Sequence, residues 1–154
     1  MSEVEVRTCT VAEIFDDPAA AALFAEYESE CGSPLLGAAV PDRTAYEGLA
    51  ALGVGQAFSG RLDGSLCGLA FLLMAPLPHY GRRFATVESL VVSQAARSCG
   101  LGKQLMKAVE AYAQNAGCAT ILYSAKADSQ LARMFLLLSD EYQLMSHVFG
   151  KRLA

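Results

Sequence analysis

The stretch VESLVVSQAARSCGLGKQLMKAVEAYAQNAG, residues 87–117, decides how the rest of the chain is read. Val87, Leu90, Val91 and Val92 form a short, β-branched apolar run, the pattern of a buried strand. Arg97, Ser98, Cys99, Gly100, Leu101, Gly102 and Lys103 follow as a compact turn, with two glycines one residue apart and a cation at either end. From Leu101 the apolar residues fall at 101, 105, 108, 109, 112, 113 and 116, one face of an α-helix stopped by Gly117. Strand, glycine turn and helix in that order build an anion site. The first N–H groups of a helix lack partners within it, and the macrodipole adds partial positive charge there. Without side chains at Gly100 and Gly102, a ligand can approach that backbone closely. The chemistry fits a pyrophosphate.

Spacing separates the kinds of pyrophosphate site. A Walker loop needs a glycine where Arg97 stands and a Ser or Thr where Gln104 follows Lys103, which argues against magnesium and nucleotide hydrolysis. A dinucleotide fingerprint needs a third glycine, and position 105 is Leu. What remains is R-x-x-G-x-G between a V-E-S-L-V-V strand and a long amphipathic helix. This resembles the acyl-CoA-binding motif of the GCN5-related N-acetyltransferases, with Arg97, Gly100 and Gly102 at the fixed positions. A plain βα turn that uses glycines for packing is the alternative.

Size and composition bound the rest. A chain of 154 residues is one domain, 1–154, by prior, and large enough for a genuine core. Apolar content of 53% against 18% charged residues marks a globular chain. The longest apolar run, Leu69 to Leu77, is cut by Pro76 and falls short of a membrane span. The start, MSEVEVRT, lacks an apolar secretory segment. Cys9, Cys31, Cys67, Cys99 and Cys118 are odd in number and scattered, which argues against a disulfide framework or a zinc site and fits a reducing cytoplasm. A formal charge of −4 with no basic stripe argues against nucleic-acid binding and is compatible with a cationic amine.

In chain order, Val4, Val6 and Thr8 alternate with charges as a first strand over about 3–9. Thr10 caps a helix that Pro18 breaks or restarts, and Asp42 caps a short helix through Leu52. Gly55 to Leu62 and Ser65 to Ala75 read as strands joined by Asp63-Gly64, a hairpin signal. Residues Pro76 to Arg83 read as a loop before the fourth strand. Ala119 to Ser124 reads as a fifth strand and Asp128 as the cap of a helix holding Leu131, Met134, Phe135 and Leu138. Tyr142 to Met145 and His147 to Leu153 read as a closing strand pair. The order β-α-α-β-β-β-α-β-α-β-β is that of the family. The expectation is an α/β (α+β) fold, a mixed sheet of about seven strands flanked by about four helices.

The resemblance then assigns chemistry. It implies acyl-CoA wedged between splayed strands 4 and 5. Pantetheine contacts fall at Leu90, Val91 and Val92, and pyrophosphate contacts at Arg97, Ser98, Cys99, Gly100, Leu101, Gly102 and Lys103. Cys99 near a helix N-terminus is either a nucleophile or a small packing residue. Glu88 stands among apolar strand residues, where a carboxylate is costly unless paired, hydrated or functional. Its position matches a glutamate that, in many relatives, takes the proton of the acceptor amine. The rival readings are a salt bridge to Arg82 or Arg83, or simple exposure. Relatives often carry N-x-x-A-x-x-x-Y after the fifth strand. Here Ser129 replaces the Asn, which makes it a cofactor contact, and Leu136 replaces the Tyr that protonates the departing thiolate. Tyr123 and Tyr142 are substitute donors or packing residues.

His79, Tyr80, Arg82 and Arg83 either recognise the acceptor or form a solvated turn built by Pro78 and Gly81. His147 reads as structural. Met134 to Leu138 is apolar on more than one helical face, core on both sides or a homodimer contact. The sequence is therefore expected to encode an acetyl-CoA-dependent N-acetyltransferase acting on a small-molecule or peptide amine in a ternary complex, with no metal. A catalytically silent acyl-CoA-binding or regulatory domain, and a nucleotide-phosphate binder of another fold, are its rivals.

Overall fold

The computed structural model describes residues 2–153. Val4–Cys9 (β1), Gly55–Leu62 (β2), Ser65–Leu77 (β3), Arg82–Val92 (β4) and Thr120–Tyr123 (β5) form one sheet in sequential order. Neighbours are antiparallel from β1 to β4, whereas β4 and β5 run parallel. The parallel pair requires a crossover, and helix Leu101–Asn115 (α4) supplies it. The β2–β3 turn follows the sequence expectation: Asp63 and Gly64 both take positive φ, 49° and 80°, the conformation of a tight two-residue hairpin.

Helices cover both faces. Val11–Phe15 (α1) begins in a capping box, with the Thr10 hydroxyl accepting from Glu13 N–H (3.1 Å) and the Glu13 carboxylate from Thr10 N–H (2.7 Å). The chain breaks around Pro18 and resumes as Ala20–Cys31 (α2). Asp42 caps Arg43–Ala51 (α3) through Ala45 N–H. These three helices share one core with Ala57, Leu69, Phe71 and Val91. On the opposite face α4 buries Leu101, Leu105 and Val109 completely against Phe58, Ala70 and Leu72. Gly60 and Gly68 permit this approach. A methyl at either position would stand about 3 Å (2.9 and 3.0 Å) from Leu101 Cδ1 and Leu105 Cδ1.

Among the described residues the sheet has five strands, not about seven, and the chain has five α-helices rather than about four. No strand forms over 142–145 or 147–153. The last short helix, Gln130–Leu137 (α5), is capped by Ser129 instead of Asp128, through Ala132 N–H at 3.1 Å. A further turn follows, in which Tyr142 N–H bonds Leu138 O. The Tyr142 ring then packs on Phe135 and Tyr123. Strand propensity alone is not enough, and Leu144, Val148 and Phe149 remain exposed. The loop expected over 76–83 is also shorter. β3 continues to Leu77 and β4 starts at Arg82, with Pro76 opposite Arg83. No helix among the described residues is long and apolar enough to cross a membrane.

Candidate active site

The centre of the site is a change of phase in β4. Its pairing with β3 steps from Leu72–Val87 to Phe71–Ser89, so Glu88 is the extra residue of a β-bulge. Before it, Ala85 and Val87 face α4. After it, Leu90 and Val92 face α4, while Val91 packs with α1 and α2. The bulge turns Glu88 toward α3 and leaves it exposed. There its carboxylate accepts a 2.8 Å hydrogen bond from the Tyr46 hydroxyl. Neither Arg82 nor Arg83 pairs with it among the described residues. The Tyr46 ring is stacked on Phe71 with centroids 4.1 Å apart. Burial, then the hydrogen bond to Glu88, push the Tyr46 hydroxyl well above the ordinary tyrosine range. Tyr46 therefore stays protonated and acts as a fixed donor.

Beyond the bulge β4 has an open edge. Its parallel pairing with β5 ends at Val87–Tyr123, five residues before β4 does. Ser93 N–H bonds Cys67 O at 2.8 Å, and Val91 lies opposite Leu69 in the same register. By antiparallel alternation, Leu90 and Val92 turn their N–H and C=O groups away from β3, into the gap beside β5. This is the edge the resemblance assigns to pantetheine.

The edge runs into the turn before α4. Residues Gln94–Cys99 form a 3₁₀ turn, and Gly100 follows with φ 81°, a left-handed conformation that favours glycine. No side chain caps α4, and its first intrahelical bond is Gln104 N–H to Gly100 O. A methyl at Gly102 would meet only Val92 Cγ2, at 3.6 Å, so the glycine is not needed for packing. Lys103 is exposed and has no ion-pair partner among the described residues. Ser98 is exposed as well. Cys99 instead donates its thiol to Ala96 O and packs on the α4 core, as a small structural residue does. Arg97 is not free: Nε bonds Val92 O at 3.0 Å and Nη2 meets Glu30 of α2 at 2.5 Å.

The remaining predicted residues are not brought to Glu88. Arg83 donates to Ala116 O and Gly53 O, both at 3.3 Å, and so ties the β3–β4 hairpin to neighbouring loops. At that far end Tyr80 stacks on Phe84 and His79 meets the Tyr80 ring edge-on, and Arg82 is exposed beside them. Five residues of extended chain, about 16 Å, separate Arg83 from Glu88. Ser129 stands at the start of α5 as its cap. Leu136 is 64% exposed. Tyr123 and Tyr142 both donate to Glu110 Oε1, at 2.9 and 2.6 Å. Both hydroxyls are pushed above the ordinary range, by burial first and by Glu110 next. Tyr46 was not legible as a site residue: nothing in its spacing marks it, and it reaches Glu88 only because Asp42 fixes where α3 starts.

Fold and site together define a mixed α/β protein with a split parallel strand pair opening onto an uncapped helix. Residues 20–137 match the model of the acetyltransferase (GNAT) family, and the chain belongs to that family. No curated protein sequence matches the chain. Among solved structures it is similar to the ribosomal-protein-alanine N-acetyltransferase of Brucella melitensis biovar Abortus 2308, at 20% identity and TM-score 0.72, covering 99% of this chain and 100% of that one. An aminoglycoside acetyltransferase from an uncultured soil metagenomic sample, solved with sisomicin, aligns at 15% identity and TM-score 0.75 over 98% and 97% of the two chains. AAC(6')-Iy, in complex with the bisubstrate analogue CoA-S-monomethyl-acetylneamine, aligns at 16% and 0.70 over 99% of each.

Proposed function

We propose that this chain transfers an acetyl group from acetyl-CoA to a primary amine by direct attack within a ternary complex. The observation that carries the reading is continuity: the open edge at Leu90 and Val92 leads straight to the uncapped start of α4. Acetyl-CoA supplies an activated thioester and a leaving thiolate whose ordinary pKa is about 8.5. The amides of Leu101, Gly102 and Lys103, with the Lys103 ammonium, would hold the pyrophosphate, with the exposed Ser98 on the same turn; Ser129 is the further contact that the resemblance assigns. The Leu90 N–H and C=O and the Val92 N–H would pair with the pantetheine arm as an added strand does, the Val92 carbonyl being held by Arg97. One of these N–H groups would hold the negative charge that develops on the acetyl oxygen.

Glu88 takes the proton of the attacking amine, directly or through a water, which its exposure allows. The C–N bond forms, the C–S bond breaks, and the thiolate is protonated from solvent. Tyr46 fixes the Glu88 carboxylate while this happens. Similar folds whose names carry ribosomal-protein alanine and aminoglycoside acceptors support an amine as acceptor. The test is incubation with acetyl-CoA and a panel of amines, following free thiol. Thiol release that depends on an amine, and is lost in Glu88→Gln, is the expected result.

A second reading, an acyl-CoA-binding domain without turnover, has one observation in its favour. Leu136 is exposed, and Tyr123 and Tyr142 are both committed to Glu110, so no tyrosine is free to protonate the thiolate on the α5 side. CoA binding without thiol release on any amine would favour it.

A further inference from the structure

We propose that Glu30 is a positioning residue for the cofactor turn, and that Arg97 serves as the clamp it holds in place and not as a phosphate ligand. This rests on the reading of the α4 start as a CoA pyrophosphate site. Arg97 is the cation at the head of the glycine turn, where a direct phosphate contact would be the simplest assignment. Its guanidinium is already engaged on two sides. Nε closes back on Val92 O, at the edge where β4 turns outward, and Nη2 meets the Glu30 carboxylate. A fork held by a carboxylate at 2.5 Å has its charge compensated. Lys103, three residues past Gly100 and without an ion-pair partner among the described residues, carries the available positive charge.

The pair belongs to a larger attachment. Glu26 and Glu30 are four apart on α2, hence on one helical face. Glu26 accepts from Gln94 N–H at 3.0 Å and from the Ser93 hydroxyl at 3.4 Å, and Glu30 also receives Gln94 Nε2 at 3.5 Å. Two carboxylates thus clip residues 93–97 to α2. Across the gap, Lys126 in the segment after β5 donates to Glu30 O at 3.4 Å. The end of α2 is where the two sides of the split strand pair meet. The Glu30 carboxylate therefore sets the path of the turn that delivers Gly100 to α4, while its main-chain carbonyl, which any residue would present, ties α2 to the segment after β5.

Calorimetric titration with CoA tests this on native protein, Glu30→Gln, Arg97→Gln and the double variant, each with its melting temperature, at low and moderate salt. If Arg97 works through Glu30, both single variants weaken CoA by a similar factor of about three to ten, and the double variant is no weaker. The salt dependence of CoA affinity then stays native in Arg97→Gln and falls in Lys103→Gln. Arg97→Lys, able to meet Glu30 but not Val92 O as well, gives an intermediate loss and covers the case of a Gln variant that folds poorly. The inference is overturned if Glu30→Gln tightens CoA, or leaves it unchanged while Arg97→Gln weakens it and flattens its salt dependence. Both outcomes would mark Arg97 as a direct phosphate contact. No heat with the native chain would instead reject the cofactor site itself, and the clamp with it.

Discussion

A single residue with no side chain makes the sharpest claim about the cradle. Gly102 has room for a methyl against Val92, so a side chain added there meets open space beside the turn and not the core. Gly102→Val is expected to abolish CoA binding by calorimetry while circular dichroism and the melting temperature stay close to native. Gly100 differs, because its φ of 81° strains any replacement, and Gly100→Ala is expected to lower stability as well. At Glu88, removal of the Tyr46 hydroxyl leaves the carboxylate unanchored. Tyr46→Phe should lower kcat for acetyl transfer with KM for acetyl-CoA unchanged, and should add nothing to the loss in Glu88→Gln. Equal additive losses would show that the hydrogen bond has no part in the reaction. Glu88 was legible in the sequence as an odd carboxylate in an apolar strand. Its bulge was not, since a bulge depends on the register of a partner strand some fifteen residues away.

The elements near the site hold through caps and close packing. The Glu13 carboxylate, bonded to Thr10 N–H and then to Arg7, is held down to about 2 in the folded state. Because the folded value lies below the unfolded one, its contribution is fully present above about pH 4.5 and is lost as the pH falls toward 2. Native protein should therefore exceed Glu13→Gln in stability at neutral pH, and the difference should shrink in acid when urea midpoints are compared. On the other face, Leu105 is wholly buried between α4 and Gly68. Leu105→Ala is expected to cost about 3 kcal/mol in chemical denaturation and to loosen the crossover that presents the cradle. Strand, turn and helix over 87–117 were readable because periodicity and glycine placement are local. The closing strands were not, because alternation over 142–153 does not record that the Tyr142 ring packs on Phe135 and Tyr123.

At the scale of the whole molecule, the sheet is continuous up to Val87 and divided beyond it. The division places an open strand edge, a glycine-started helix and the Tyr46–Glu88 pair along one opening, with α2 fastened across its end through Glu26 and Glu30. Sequence reading reached the strand, the glycine turn and the helix start, since periodicity and glycine spacing are local. What α2 and α3 bring to Glu88 and to residues 93–97 was not reached, and His79, Tyr80, Arg82 and Arg83 stand at the other end of the hairpin. Helix-to-strand contacts of that kind are set by packing between distant segments, which no spacing in the chain records. The most direct test is an amide NMR titration of the labelled protein with CoA. The largest shifts are expected at Leu90, Val92 and Gly100 to Lys103. Binding that moves other amides and leaves those at their unliganded positions would contradict the cradle.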